Sequence, residues 1–322
     1  MAAAGEASEL PPALQALLAD FEHDTEAIVR TLVTDTRASR LPKVIYHYTD
    51  NSGLLGILQN GTIWLSDLFY LNDPTELRYG VDHAAKLLRT AADTPNARRF
   101  ASEFSTFVEQ EISQVGQFFV GCFSTTADDL GQWRAYADNG KGYAIAFDTA
   151  ALLNAFAPDE SGKSSRVHLS VSYDEEQLET AQNKLVRCVL PLLSLENRMF
   201  RDEGVRAAYF EQLSNLFALR VLTIAMGFKH PAYRGESEFR LIQIFSQRSE
   251  VAKPKYRVRP YMLIRHIEFN WKSGSPDCLN EIVCGPASNA TISRLFAADC
   301  VRAFHGGRGD VRIRVSAVPF RA

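Results

Sequence analysis

The densest run of chemically capable side chains lies late in the chain, at Phe228-Lys229-His230-Pro231-Ala232-Tyr233-Arg234-Gly235-Glu236-Ser237-Glu238-Phe239-Arg240. After the turn at Gly235, Glu236, Glu238 and Arg240 take alternate positions, so on a strand all three point to one face. That face continues as Ile242 and Ile244, which makes it a cleft rim running into an interior. Two carboxylates at i and i+2 repel, and a solvated edge gains little by placing them together. A cleft has a use for both, one as general base and one to stabilise a developing cationic sugar. The plain alternative is a solvated strand end tied by an arginine.

Three smaller groups precede it. In Tyr46-His47-Tyr48-Thr49 the tyrosines share one strand face, and His47 and Thr49 share the other. His47 reads either as a satisfied core histidine or, just before a glycine-containing turn, as a ligand contact at the mouth of a sheet. Asn72-Asp73-Pro74-Thr75-Glu76 is complete as a helix start, but Asn72 has no capping duty and is a candidate polar contact. Trp133 and Tyr136 lie on one side of a helical turn with Arg134 between them. They suit core packing or stacking on a flat heterocycle. The basic run Lys253, Lys255, Arg257 and Arg259 alternates with Tyr256 and Val258 and reads as a solvated edge that resists aggregation. Gly306-Gly307-Arg308-Gly309 reads as a turn; it fits neither phosphate-loop nor dinucleotide fingerprints, and zincin and hydrolase motifs are missing too.

Positioning these residues requires a specific order of elements. A helix follows Pro11 and Pro12, with apolar residues at Leu14, Leu17, Leu18, Phe21, Ile28 and Leu32, and residues 1–40 read as a helical extension. The body, residues 41–322, starts with a strand at 44–48. A short helix follows, capped by Asp50, Asn51 or Ser52 and ended by Asn60-Gly61, and then a strand at 62–66. Helices are expected from Pro74 to about Ala92 and from Ala97 to Ser113, and strands at 118–123, 143–148 and 167–173. Residues 175–227 form a helical insertion interrupted near Pro191 and Gly204. Strands resume at 238–245, 261–269, 281–283 and 311–318. The fold class is α+β: a mixed, strongly bent sheet with inserted helices.

Composition narrows the function classes. The 322 residues carry 35 Lys+Arg against 38 Asp+Glu, a net charge of −3, which excludes a polybasic nucleic-acid or membrane binder but not a local basic pocket. The opening residues have neither a basic nor an apolar leader region, and no run of apolar residues is long enough to span a bilayer. Five cysteines with no CxxC pair read as thiols in a reducing compartment, so a cytoplasmic protein is expected.

In order along the chain, Tyr46-His47-Tyr48-Thr49, Leu55-Gly56-Ile57-Leu58, Thr62-Ile63-Trp64-Leu65-Ser66 and Leu71-Asn72-Asp73-Pro74-Thr75-Glu76 resemble the bacterial family catalogued as domain of unknown function 2971. So do Cys122-Phe123-Ser124, Trp133 and Tyr136 with Gly142 and Phe147-Asp148, Val171-Ser172-Tyr173, and Glu236-x-Glu238-x-Arg240. The resemblance covers roughly Leu41 to Pro286. More distantly, the His-bearing first strand, short helix and second strand resemble the opening of ADP-ribosyltransferases, including the DNA-modifying toxin branch.

That second resemblance implies NAD as substrate and no metal. It makes His47 the ribose anchor, Glu238 the carboxylate that stabilises the oxocarbenium-like state, and Glu236 the base for the acceptor. Tyr48, Thr49, Ser66, Asn72, Trp133, Tyr136, Tyr233 and Arg240 join His47 as expected contacts of NAD or a related nucleotide. The second strand departs from the pattern at Trp64-Leu65-Ser66, so nicotinamide stacking is not assigned. The implied protein is a transferase or NAD glycohydrolase, as a toxin, defence factor or effector, with an unknown protein or nucleic-acid acceptor. Two rivals stand beside it: a non-catalytic sensing or interaction module of the same fold, and a metal-dependent nuclease built on Asp73, Glu236 and Glu238.

Overall fold

The computed structural model describes residues 10–34, 41–70, 74–110, 115–158, 164–195, 197–246, 254–259, 262–273, 278–305 and 311–320. Contacts divide the chain into two compact units. One is helical: α1 (Pro12–Thr34), α3 (Pro74–Ala91), α4 (Pro95–Gln110), α7 (Glu175–Leu193) and α8 (Glu203–Ala225). The segment read as an N-terminal extension thus clusters with the helices read as an insertion. Prolines stand at the first position of α1, α3 and α4, where a missing N–H costs nothing. Asp174 and Asp202 cap α7 and α8 by accepting backbone N–H bonds. Helix α3 meets α8 at Gly80, where a Cβ would come within 2.7 Å of Ala225, and Phe100 and Phe104 pack edge-on against Phe217.

The other unit holds the sheet, α2 (Asn51–Asn60), α5 (Leu130–Tyr136), α6 (Thr149–Ala155) and α9 (Ala290–Phe304). Its strands are β1 (Val44–Thr49), β2 (Thr62–Asp67), β3 (Gly116–Ser124), β4 (Tyr143–Asp148), β5 (Ser164–Ser170), β6 (Glu238–Ser246), β7 (Lys255–Arg259), β8 (Met262–Asn270), β9 (Leu279–Cys284) and β10 (Arg312–Val315). The order is β10-β9-β4-β1-β3-β2-β8-β7, with β6 between β3 and β5. All pairs with a recorded direction are antiparallel except β9 with β10, so the sheet is open and mixed, as the α+β reading expects. One face carries a core that includes Ile45, Leu65, Phe119, Phe123, Phe147, Phe239 and Leu241.

Strand β3 pairs with three strands, and a strand has two edges. Thr125 N–H donates to Ser237 O beside Ser124, and Phe119 meets Phe245 edge-on, so β6 follows one edge throughout. On the other edge β1 pairs at Ser124 and β2 at Val120 and Phe119. Between them β1 has diverged and β2 has not begun, which leaves a gap at residues 121–123.

Two helix ends are fixed from across the sheet unit. Helix α2 starts on the Asp50 carboxylate and stops at Gly61, whose φ of 66° is the left-handed cap. Lys272 Nζ donates to Leu58 O at the end of α2 and to Phe304 O at the end of α9, and meets both negative dipole ends.

Candidate functional site

Glu236 does not lie on the strand. The segment Pro231–Glu236 is a 3-10 turn, and Ser237 has φ 46°, a left-handed conformation that breaks the extended run before β6 starts at Glu238. The expected line of Glu236, Glu238 and Arg240 on one strand face is therefore corrected. The turn is fixed because Ser124 Oγ donates to Glu236 O and Thr125 N–H to Ser237 O. Glu236 is half-buried at the rim and accepts from Tyr136 OH at 3.1 Å; Tyr136 and Tyr233 are both exposed.

Glu238 and Arg240 are a buried, two-pronged ion pair. Arg240 donates from Nε to Glu238 Oε1 at 2.7 Å and from Nη2 to Oε2 at 2.9 Å, with the residues 3% and 6% exposed. Both carboxylate oxygens are engaged by one guanidinium, the strongest geometry for such a pair. Phe239 and Leu241 point into the core, so alternation turns Glu238 and Arg240 to the other face.

His47 faces the opposite way. It alternates with Tyr46 and Tyr48, sits in phase with core Ile45, and its ring lies 5.5 Å from Phe123. The sheet therefore does not place His47 and Glu238 on one wall, as the transferase resemblance implies. Thr49 shares His47's phase and pairs with Tyr143 of β4. His47 Nδ1 is 3.1 Å from Cys122 O, in the gap on the β3 edge. A carbonyl only accepts, so Nδ1 carries the proton, and in the neutral ring Nε2 is an acceptor. Burial pushes the His47 pKa down, the Cys122 carbonyl opposes this, and the Arg257 charge adds to the lowering.

Tyr48 and Trp133 are structural. Tyr48 is buried, donates to Thr126 O, accepts from Asp129 N–H and packs edge-on against Trp133 at 4.9 Å. Trp133 is fully buried and donates from Nε1 to Asp128. Burial works against the charged form of Asp128. Bonds from Ser316, the Ala317 amide and Trp133, with Arg314's charge, nevertheless hold its carboxyl below the usual range. Neither ring has a face left for a heterocycle; of the aromatic pair, only Tyr136 does.

Ser66 leads to residues that sequence reasoning missed. Its hydroxyl accepts from Arg257 Nη2 at 3.2 Å, and it pairs across the ladder with His266. Arg257 stands over the Trp64 ring at 6.0 Å, and Trp64 stacks on His266 at 4.3 Å. Arg257 is half-buried here, so the solvated-edge reading of the basic run fails at this position. The only signal available was the spacing of Trp64 and Ser66 on one strand face, because the β2–β8 register spans about two hundred residues. Asn72, Asp73, Lys253 and the turn at 306–309 lie outside the described residues.

Among the described residues no His/Cys/Asp/Glu group of metal-binding size is found, and no helix is long and apolar enough to cross a membrane. A charged groove in the helical unit, between α4 and α8, contains none of the candidate residues.

Fold and site thus define an α+β protein with an open mixed sheet, a buried ion pair on β6 and a polar cluster on β2, β7 and β8. The family model described as "Protein of unknown function (DUF2971)" matches residues 132–241, from α5 to the Glu238–Arg240 pair. No curated protein and no solved structure matches the chain.

Proposed function

We propose that the sheet unit is a non-catalytic sensing module that takes NAD or a related nucleotide on an ADP-ribosyltransferase-like frame. The observation that carries this reading is the clamp of Arg240 on Glu238. A carboxylate that stabilises a cationic sugar must present negative charge to it. Here that charge is neutralised by a buried guanidinium and turned to the face opposite His47. Recognition has better support: His47 offers a fixed acceptor at a gap in the sheet, and on the other face Arg257 brings positive charge to Ser66, close enough for that charge to act on His47.

ADP-ribosyl transfer is the second reading. It is favoured by Glu236, which is half-buried beside exposed Tyr136 and Tyr233, where an acceptor can reach it.

Calorimetric titration with NAD, together with a nicotinamide-release assay, separates the two. The sensing reading expects saturable binding by wild type, weakened in His47→Ala and retained in Glu236→Gln, with no nicotinamide released. Release that disappears in Glu236→Gln or Glu238→Gln, with the thermal melt unchanged, moves the assignment to the transferase. Folded wild-type protein that binds neither NAD nor ADP-ribose overturns both readings.

A further inference from the structure

The cluster on β2, β7 and β8 has a property its fold does not explain. His266 is 2% exposed; neither ring nitrogen has a partner within full hydrogen-bond geometry, although the Ile264 backbone is close enough to oppose the lowering of its pKa by burial. A buried polar group left unsatisfied is destabilising, and stacking on Trp64 does not need a histidine. A phenylalanine would pack there without that cost. Directly across the ladder is Ser66, and on the adjoining strand Lys255 pairs with His266 and Arg257 with Ile264. Cα partners share a face, so Ser66, His266, Lys255 and Arg257 stand together, with Trp64 two residues before Ser66 on the same side.

Charge and shape on this face are specific. Arg257 directs its guanidinium at Ser66 at 3.2 Å, and Lys255 pairs with Glu268 at 2.7 Å. Trp64 is 42% exposed, while the other two tryptophans, Trp133 and Trp271, are fully buried. An exposed indole between a cation and a buried imidazole fits a ligand with a flat ring attached to an anion.

We propose that Trp64, Ser66, Arg257 and His266 form the seat of a nucleoside monophosphate moiety. Arg257 and the donor nitrogen of His266 hold the phosphate beside Ser66. The acceptor nitrogen of His266 receives a ribose hydroxyl, and the indole stacks on the base. Entry requires Trp64 to lift from His266, and its exposure gives it room. This deepens the nucleotide-sensing reading and rests on it, in that it assigns the adenylate half of NAD to β2, β7 and β8.

The test titrates AMP, NAD and nicotinamide mononucleotide into wild-type protein, Trp64→Leu and Arg257→Gln, with thermal melts as the control for folding. AMP is expected to bind wild type and quench Trp64 fluorescence. Each substitution is expected to weaken AMP by about ten-fold or more, in line with the loss of one base–aromatic stack or one charged contact. Should Arg257→Gln fail to fold, Trp64→Leu carries the test, because the indole is exposed. AMP affinity unchanged in Trp64→Leu overturns the seat, and so does absence of AMP binding by folded wild type. If NAD or nicotinamide mononucleotide still binds in either case, the sensing reading stands without this seat. AMP binding that needs Trp64 while NAD does not bind leaves the seat and removes the NAD assignment.

Discussion

At the scale of single residues, the pair Glu238–Arg240 decides most. A buried ion pair is weak evidence of net stabilisation, since desolvating two charges offsets much of their attraction. Removing one member is a different matter, because the other stays enclosed and loses its two-pronged partner. Arg240→Leu is expected to cost about 3–5 kcal/mol, read as a lowered urea midpoint with unchanged slope. The double variant Glu238→Leu/Arg240→Leu should recover a large part of that loss. A catalytic carboxylate held only loosely by Arg240 gives the opposite pattern: little loss in the single variant and no recovery in the double. Glu236→Gln, at the half-buried rim, should leave the midpoint within about 0.5 kcal/mol of wild type.

Elements determine which residues meet, and Lys272 shows this most simply. Its ammonium closes α2 and α9 together, and burial lowers its pKa. Lys272→Met keeps the stem but removes two charged bonds to helix ends, an expected loss of about 2–3 kcal/mol by urea denaturation. An unchanged midpoint would show that water serves the carbonyls as well. Most elements were legible from local chemistry: Asp50 and Gly61 bracket α2, Pro74 opens α3, and a continuous apolar run marks β4 as a buried strand. What local chemistry could not supply was pairing. The phase of His47 against Glu238 depends on β3 taking three partners. The contacts among Trp64, Arg257 and His266 depend on a register between distant strands. Glu236 was misplaced for a different reason. A serine in the left-handed region has no sequence signature, and Ser237 adopts it only because β3 anchors the turn from the side.

For the whole molecule, three histidines whose pKa is lowered by burial set a pH dependence. His47, His168 and His266 all lie in the sheet unit, and burial lowers the pKa of each. In the unfolded chain they bind protons near pH 6.5, in the fold only at lower pH. Within that window the unfolded state holds more protons, so stability is fully present above about pH 6.5 and falls as pH drops, by at most about 1.4 kcal/mol per group per pH unit. Asp67, whose pKa burial raises, acts in the opposite direction. On the alkaline side burial holds the Cys284 thiol up to about 11 and the Cys278 thiol up to about 12, and stability should fall again above about pH 9, where unfolded thiols ionise. All three tryptophans, Trp64, Trp133 and Trp271, belong to this unit, so urea unfolding followed by tryptophan emission reports it selectively. The expected profile is a plateau from about pH 7 to 8.5 with a lower midpoint at pH 5.5 and at pH 10. A midpoint that stays constant from pH 7.5 to 5.5 would mean the imidazoles take up protons in place. That result would also remove the neutral acceptor at His47 on which the recognition argument depends.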